Sequence, residues 1–195
     1  MTASGPVFYV FCGLTGSGKS VLARRFATAS ALPYLDYDTL VQPMLRAIEE
    51  KTGIGDSRAA FYREWRTPCY ESLWETSAEI LGCGSPLIAS APCGEETRDP
   101  EFFFKLRIKA GRPFCAVGIY LAPDPDLHLK MMKQRNTLWN EDIIPRWEEY
   151  RREHSPRRPV WDADVNLWLE YSSFGELNRL LRTGLEENGL ETFGI

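Results

Sequence analysis

The sequence predicts an α/β fold in which a mostly parallel sheet carries helices on both faces. Short apolar runs, typical of buried parallel strands, alternate along the chain with longer segments of helical periodicity. Residues 13–20 read GLTGSGKS and fit the phosphate-binding pattern G-x-x-x-x-G-K-[ST], between a strand-like and a helix-like run. No linker or repeat divides the chain, so we expect residues 1–195 to form one domain.

The phosphate-binding pattern follows the first predicted strand, residues 7–11, and opens the first helix, where Leu22 and Phe26 recur at helical spacing. Glycines let successive backbone N–H groups face one concave spot, and the helix N-terminus adds a positive end. The predicted nucleotide-binding residues are Gly13, Leu14, Thr15, Gly16, Ser17, Gly18, Lys19 and Ser20.

Two residues of this loop have predicted roles of their own. The Lys19 ammonium is expected to reach the β- and γ-phosphates of a nucleoside triphosphate, and the Ser20 hydroxyl to ligate Mg²⁺. The loop alone does not tell whether the phosphoryl group goes to water, to a metabolite or to a macromolecule.

Two acidic residues mark the end of the second predicted strand, residues 33–37. Strand alternation is expected to point Asp36 and Asp38 at one place beside the phosphate loop. Phosphoryl transfer to an alcohol needs a metal that neutralises charge and a group that orients or accepts the hydroxyl proton. We assign Asp36 to Mg²⁺, through water, and Asp38 to the substrate hydroxyl as general base. The alternative for Asp38 is an N-cap of a helix that starts at Thr39.

A helical insert is predicted over about residues 39–84. It contains a helix over 39–51 and a long helix over 57–81. Its aromatic stripe is typical of a core. Arg66 lies among those aromatic residues and is a candidate contact for an anionic or sugar-like acceptor.

The third predicted strand, residues 86–91, lacks an aspartate that many P-loop enzymes use there to hold Mg²⁺. Either Asp36 takes over that role, or Glu95 or Glu96 reaches in from the following loop. The missing aspartate argues against a motor-like or switch-like NTPase.

Two further arginines are candidates for contacts with anions. Arg98 follows the third strand's loop and is a candidate contact for a substrate anion; a solvated side chain and an ion pair with Asp99 are the alternatives. Arg135 ends a predicted helix and is placed to close over the triphosphate, where such an arginine is worth roughly 10³–10⁵ in rate. The alternative for Arg135 is a cation that complements the helix dipole.

A charged, amphipathic segment over about 135–160 is either a lid or a surface helix whose Trp147 and Tyr150 pack on the body. The two histidines, His128 and His154, have no metal-like spacing and are expected at the surface. The remaining elements are predicted as a helix over 100–110, a strand over 114–121, helices over 126–135 and 139–154, a strand over 164–171 and a helix over 174–188.

Composition excludes several classes of protein. A formal charge of −4 gives no electrostatic case for an extended nucleic-acid surface, so a nucleic-acid partner is not the expected one; a local basic groove stays open as an alternative. The apolar runs are too short to span a bilayer, and the amino-terminal residues lack the basic start of a signal peptide. The five cysteines suggest neither a disulfide framework nor a zinc site, and reduced thiols indicate a cytoplasmic protein.

The phosphate loop, the pair Asp36 and Asp38, the insert, Arg135 and the strand at 164–167 together resemble the small P-loop kinases. The most similar cluster contains the zeta toxins, the chloramphenicol phosphotransferases and the AAA-type ATP-binding kinases. The acidic pair is also similar to that of shikimate kinase, where it serves the metal and the substrate hydroxyl. The resemblance implies a three-layer fold with a five-stranded sheet in the order 2-3-1-4-5, ATP with Mg²⁺ as donor, and a small acceptor bound at the insert.

The sequence thus predicts an ATP-dependent phosphotransferase acting on a hydroxyl of a small molecule, with Asp38, Lys19 and Arg135 as catalytic residues. Asp38, Arg66 and Arg98 are the predicted acceptor contacts. One alternative is a kinase for a nucleoside, a nucleotide or a polynucleotide 5′-hydroxyl. The other is a nucleotide-binding regulatory NTPase with a protein partner. ATP is expected over GTP because the chain has no N-K-x-D guanine signature.

Overall fold

The computed structural model describes residues 5–53, 55, 57–135 and 143–194. Within them, five strands form one parallel sheet in the order β2-β3-β1-β4-β5, which confirms the predicted fold class and strand order. The strands are β1 (Val7–Gly13), β2 (Tyr34–Asp36), β3 (Leu87–Ser90), β4 (Cys115–Pro123) and β5 (Val165–Tyr171).

Helices alternate with these strands, as a parallel sheet requires. The α-helices of the described residues are α1 (Lys19–Ser30), α2 (Tyr37–Thr52), α3 (Arg58–Glu64), α4 (Arg66–Gly82), α5 (Phe102–Ala110), α6 (Pro125–Gln134), α7 (Trp147–Glu153) and α8 (Phe174–Glu187). Two 3₁₀ turns lie at Glu96–Arg98 and Ile144–Arg146. Among the described helices, none has both the length and the apolar character needed to cross a bilayer.

Alternate residues of β1 supply the two cores of the molecule. Phe8 and Val10 pack on one face of the sheet with α4 and α5, whereas Tyr9 and Phe11 pack on the other face with α1 and α8. Burying one such side chain stabilises the fold by about 1.5–3 kcal/mol. The central strand is thus buried on both faces, and its carboxyl end positions the phosphate loop.

The insert between β2 and β3 differs from the prediction of one long helix over 57–81. The helix breaks at Trp65, which has φ −88° and ψ 0°, and a new helix starts at Arg66. Pro68 lies in the first turn of that new helix. A proline has no N–H to continue a helix but is tolerated in the first turn, so the break is a consequence of the sequence.

Two other boundaries also differ. The second strand ends at Asp36 and α2 begins at Tyr37, so Asp38 lies on a helix rather than on a strand. The predicted helix over 139–154 begins outside the described residues. Its described part is a 3₁₀ turn containing Pro145, followed by α7, so it is not one continuous α-helix.

Candidate active site

The phosphate loop leaves the carboxyl end of β1 in a backbone conformation that requires glycine. Gly13, Gly16 and Gly18 have φ of 141°, 79° and 78°, values that residues with a side chain rarely adopt. A Cβ on Gly16 would also lie 2.2 Å from the Sδ of Met132. These glycines therefore let the loop curl against α6.

The N-terminus of α1 is open to an anion. Its N-cap is Gly18, no side chain caps it, and its first turn contains no acidic residue. The unpaired N–H groups of that turn carry the positive end of the helix dipole. This is the geometry that binds phosphate.

Lys19 is buried at this helix end, and its side chain is 8 % exposed. Burial lowers the pKa of Lys19, while the nearby Asp38 carboxylate opposes that shift. The Lys19 Nζ donates to the carbonyl oxygen of Leu14 over 3.4 Å. An ammonium has two further protons to donate, so it can also bind an incoming phosphate.

Asp36 lies at the centre of a hydrogen-bond network that joins β2, β3 and α2. Its Oδ1 accepts from the N–H and the hydroxyl of Thr39, at 3.0 and 3.1 Å, and thereby caps α2. Its Oδ2 accepts from the hydroxyls of Tyr34 and Ser90, at 2.9 and 2.7 Å. Burial alone raises the pKa of Asp36, but hydrogen bonds from Ser90, Thr39, Ser20 and Tyr34 outweigh it and hold the pKa below its ordinary value.

The register of the sheet brings Asp36 next to the end of β3, where the sequence lacks an aspartate. Asp36 pairs with Ser90 across the ladder, and the Ser90 hydroxyl lies 3.5 Å from that of Ser20. Asp36 thus reaches the Ser20 hydroxyl from the neighbouring strand. Glu95 and Glu96, the alternatives, instead pair with Arg66.

Asp38 lies in the first turn of α2, so strand alternation is the wrong reason for its proximity to Asp36. The N-cap is Asp36, so the alternative that Asp38 caps the helix is also wrong. Burial raises the pKa of Asp38, Asp36 adds to that shift, and Lys19 and Arg135 oppose it. A carboxylate in this environment is a stronger base than an exposed one.

One cavity of about 440 Å³ brings most of the predicted site residues together. It lies on the α1 side of the phosphate loop. The predicted residues that line it are Gly16, Gly18, Lys19, Ser20, Asp36, Asp38 and Arg135. The wall is completed by Val21, Arg24, Met131, Gln134 and Phe174.

A second cavity, of about 410 Å³, lies on the other side of the loop. Gly13, Leu14 and Thr15 line it, and so does the predicted acceptor contact Arg98. Asp99 forms its ion pair with Lys105, at 2.8 Å, so the alternative pairing of Arg98 with Asp99 is not the one observed.

Arg66 lines neither of these two cavities. Its guanidinium pairs with Glu95 and Glu96, each at 3.0 Å, and lies 4.1 Å from the centre of the Tyr70 ring. Trp74 also donates to Glu96. In this structure Arg66 fastens α4 to the loop after β3, and its contact with an acceptor stays a prediction.

His128 is a site residue that sequence reasoning missed, and its expected surface position is wrong. The ring is fully buried; Nε2 donates to the Thr15 carbonyl oxygen over 2.7 Å, and Nδ1 accepts from Arg151 over 3.2 Å. Burial lowers the pKa of His128 to about 4, so the ring is neutral near pH 7. The sequence signal was its spacing of four from Met132, which is also buried on α6.

The described part of the lid-like segment packs on the body. Trp147 is buried and contacts the His128 ring edge-to-face, with 4.9 Å between ring centres. On the same helix, Tyr150 lines a cavity that Thr15 of the phosphate loop also lines, and Arg151 donates to His128. Residues 136–142 lie outside the described residues, so a lid there stays a prediction.

A comparison of the sequence with known protein families identifies one family. The family model described as AAA domain matches residues 8–145. No curated protein sequence matches the chain.

Three solved structures share the fold over nearly the full length of both chains. A protein from Chloroflexus aurantiacus J-10-fl, assigned provisionally as a kinase, is 20% identical, with a TM-score of 0.65 and coverage of 97% of this chain and 98% of that one. A sugar kinase from Janibacter sp. HTCC2649 is 18% identical, with a TM-score of 0.58 and coverage of 96% of each chain. A gluconokinase from Sinorhizobium meliloti 1021 is 19% identical, with a TM-score of 0.52 and coverage of 94% and 93%.

Proposed function

The chain belongs to the AAA domain family, and from that premise we propose that it is an ATP-dependent phosphotransferase. It transfers the γ-phosphoryl group to a hydroxyl of a small molecule. One observation carries the proposal: a single cavity beside the phosphate loop contains Lys19, Asp38 and Arg135. The described kinases of similar fold support the same reaction class.

The phosphates of the nucleotide bind the open N-terminus of α1 and the Lys19 ammonium. Arg135, which lines the same cavity, adds a second cation where charge develops on the transferred group. Phosphoryl transfer depends mainly on positioning and on charge stabilisation, and these two side chains supply both.

Asp38 acts on the acceptor hydroxyl. Burial raises the pKa of the Asp38 carboxyl and makes the carboxylate a better proton acceptor, while Lys19 and Arg135 oppose that shift. Asp38 therefore takes the hydroxyl proton as the acceptor oxygen bonds to the γ-phosphorus, and the bond from that phosphorus to the β-γ bridging oxygen breaks. ADP carries away the electron pair of the broken bond.

The oxygen donors of the cavity fit Mg²⁺. Ser20 is a candidate direct ligand, whereas Asp36, whose two oxygens already accept from Thr39, Tyr34 and Ser90, suits a contact through water. Among the described residues, no group of three or more His, Cys, Asp or Glu side chains could hold a metal. In the proposed site, phosphate oxygens of the nucleotide would complete the coordination of the ion. The ion, when bound, neutralises charge on the β- and γ-phosphates.

The test is ADP formation in a panel of small hydroxyl-bearing metabolites, each with MgATP. We expect one acceptor class to raise ADP formation well above the acceptor-free rate, with Lys19→Ala abolishing turnover. Asp38→Asn should abolish transfer and leave ATP affinity nearly unchanged, because the amide cannot take the proton. Arg25→Ala, an exposed residue that lines neither cavity, is the control.

Other outcomes separate the alternatives. Transfer to a nucleoside or an oligonucleotide 5′-hydroxyl, with salt-sensitive binding of the oligonucleotide, would replace the small-molecule acceptor. Slow hydrolysis that no acceptor stimulates would indicate a regulatory NTPase. Full activity of Asp38→Asn would remove Asp38 as the base.

A further inference from the structure

The second cavity is positively charged in an otherwise acidic protein. Its lining includes Arg98, Arg157 and Arg158, whereas Glu153 is the one carboxylate among the described lining residues. The whole chain has a formal charge of −4. A local excess of cations in a concave site attracts anions, because the cavity walls focus the field.

A backbone hydrogen bond brings these arginines together. The N–H of Val160 donates to the carbonyl oxygen of Thr97 over 2.8 Å, and the Thr97 hydroxyl donates to the carbonyl oxygen of Cys93 over 2.8 Å. The segment that contains Arg157 is therefore fastened to the turn that contains Arg98. The backbone therefore holds Arg98 and Arg157 close together, whatever the conformations of their side chains.

The guanidinium groups are available to a ligand. Neither Arg98 nor Arg157 forms an ion pair with any residue that the structure describes, and both are exposed. Arg158 lies over the Trp168 ring, 5.5 Å from its centre, a contact that leaves the N–H edge of the guanidinium free to bind an oxyanion.

The two cavities meet at the phosphate loop. The Lys19 ammonium, which lines the first cavity, donates to the carbonyl oxygen of Leu14, which lines the second. A molecule in the second cavity thus lies next to the cation that holds the transferred phosphate.

We propose that the acceptor carries an oxyanion group, a carboxylate or a phosphate, that binds Arg98, Arg157 and Arg158 in the second cavity. This inference rests on the proposed phosphotransferase function and names its substrate class. A volume of about 410 Å³ suits a molecule the size of a sugar acid or a sugar phosphate. Planar guanidinium groups bind either oxyanion in bidentate fashion.

The experiment is calorimetry on protein saturated with Mg²⁺ and AMP-PNP, which fills the phosphate loop so that added anions report on the second cavity. The probes are gluconate and its neutral analogue sorbitol, glucose 6-phosphate and its neutral analogue glucose, inorganic phosphate, and a short oligonucleotide. Arg98→Ala, Arg157→Ala and the double variant are compared with wild type. Arg25→Ala is the matched control for losing one exposed arginine.

We expect the acids to bind at least tenfold more tightly than the neutral analogues, and each arginine removed to weaken them about tenfold. Acid binding should weaken with salt in wild type and lose most of that dependence in the double variant. Comparing the affinities of gluconate and glucose 6-phosphate shows whether the site prefers a carboxylate or a phosphate.

Several outcomes would overturn this inference. Acids that bind wild type no better than the double variant, or that do not bind at all, remove the oxyanion site. Tight binding of a short oligonucleotide without binding of the small acids assigns the arginines to nucleic acid instead. AMP-PNP that fails to bind counts against the proposed function itself, and this is measured first and independently.

Discussion

Two separate features disfavour a larger residue at Gly16: its left-handed backbone and its close approach to the Met132 side chain. We expect Gly16→Ala to destabilise the fold by about 2–5 kcal/mol, since a left-handed alanine costs about 1–2 kcal/mol and overpacking about 1–3 kcal/mol. The overpacking arises because the new Cβ would lie 2.2 Å from the Sδ of Met132, which is fully buried. Urea unfolding of both proteins measures the difference.

A double-mutant cycle separates the cost of the backbone strain from the cost of the collision with Met132. In a Met132→Ala background the collision is gone but the backbone strain remains, so Gly16→Ala should cost less there than in wild type. An equal cost in both backgrounds would show that the contact with Met132 is unimportant.

Arg135 should influence the acid limb of the pH–rate profile through Asp38. In the proposed reaction Asp38 is the base and must be ionised, so activity falls as pH falls through its raised pKa. Arg135 opposes that raised pKa. Arg135→Gln should therefore move the acid limb of kcat/KM to higher pH, in addition to lowering kcat. Profiles of wild type, Arg135→Gln and the control Arg25→Gln test this, and a limb that stays in place or moves to lower pH contradicts it.

At the scale of elements, His128 joins α6, α7 and the phosphate loop. Its folded-state pKa of about 4 lies below the ordinary value of 6.5. Below pH 6.5 the unfolded chain therefore binds a proton at this ring, whereas the folded chain binds it only near pH 4. The free energy of unfolding decreases as pH falls from 6.5 to 4. The loss is on the order of 2–3 kcal/mol.

His128→Gln tests this contribution, because glutamine can still donate a hydrogen bond to Thr15 but does not titrate. We expect the free energy of unfolding of wild type to fall more steeply between pH 6.5 and 4 than that of the variant. Equal slopes in urea titrations would mean that His128 does not carry the pH dependence. His154→Gln, at an exposed position, is the control and should follow wild type.

The elements also show what could be predicted from the sequence. The phosphate loop could be predicted because its function is encoded in eight consecutive residues, and the strand order followed from the resemblance. The breaks near Trp65 and Pro145 have a signal in the sequence, because Pro68 and Pro145 each lack the N–H that continues a helix. The environment of Asp36 could not be predicted, because its contact with Ser90 depends on the register of two strands far apart in sequence.

At the scale of the molecule, the phosphate loop is tied to distant parts of the chain. The Tyr171 hydroxyl, at the end of β5, donates to the carbonyl oxygen of Ser17, and His128 on α6 donates to that of Thr15. On the other side the Ser90 hydroxyl, at the end of β3, lies 3.5 Å from the Ser20 hydroxyl. A ligand that orders the loop therefore stabilises β1, β3, β5 and α6 together.

Nucleotide binding should accordingly raise the melting temperature of the whole protein. A ligand at one hundred times its Kd adds about 2.7 kcal/mol to the folded state. For a chain of 195 residues each kcal/mol shifts Tm by about 2–4 °C, so MgATP should raise Tm by about 5–10 °C. Lys19→Ala should lose most of this shift because it removes the ammonium that binds the phosphates, whereas Arg25→Ala should retain it. Calorimetric scans with and without MgATP measure both, and a shift that persists in full in Lys19→Ala would place the nucleotide elsewhere.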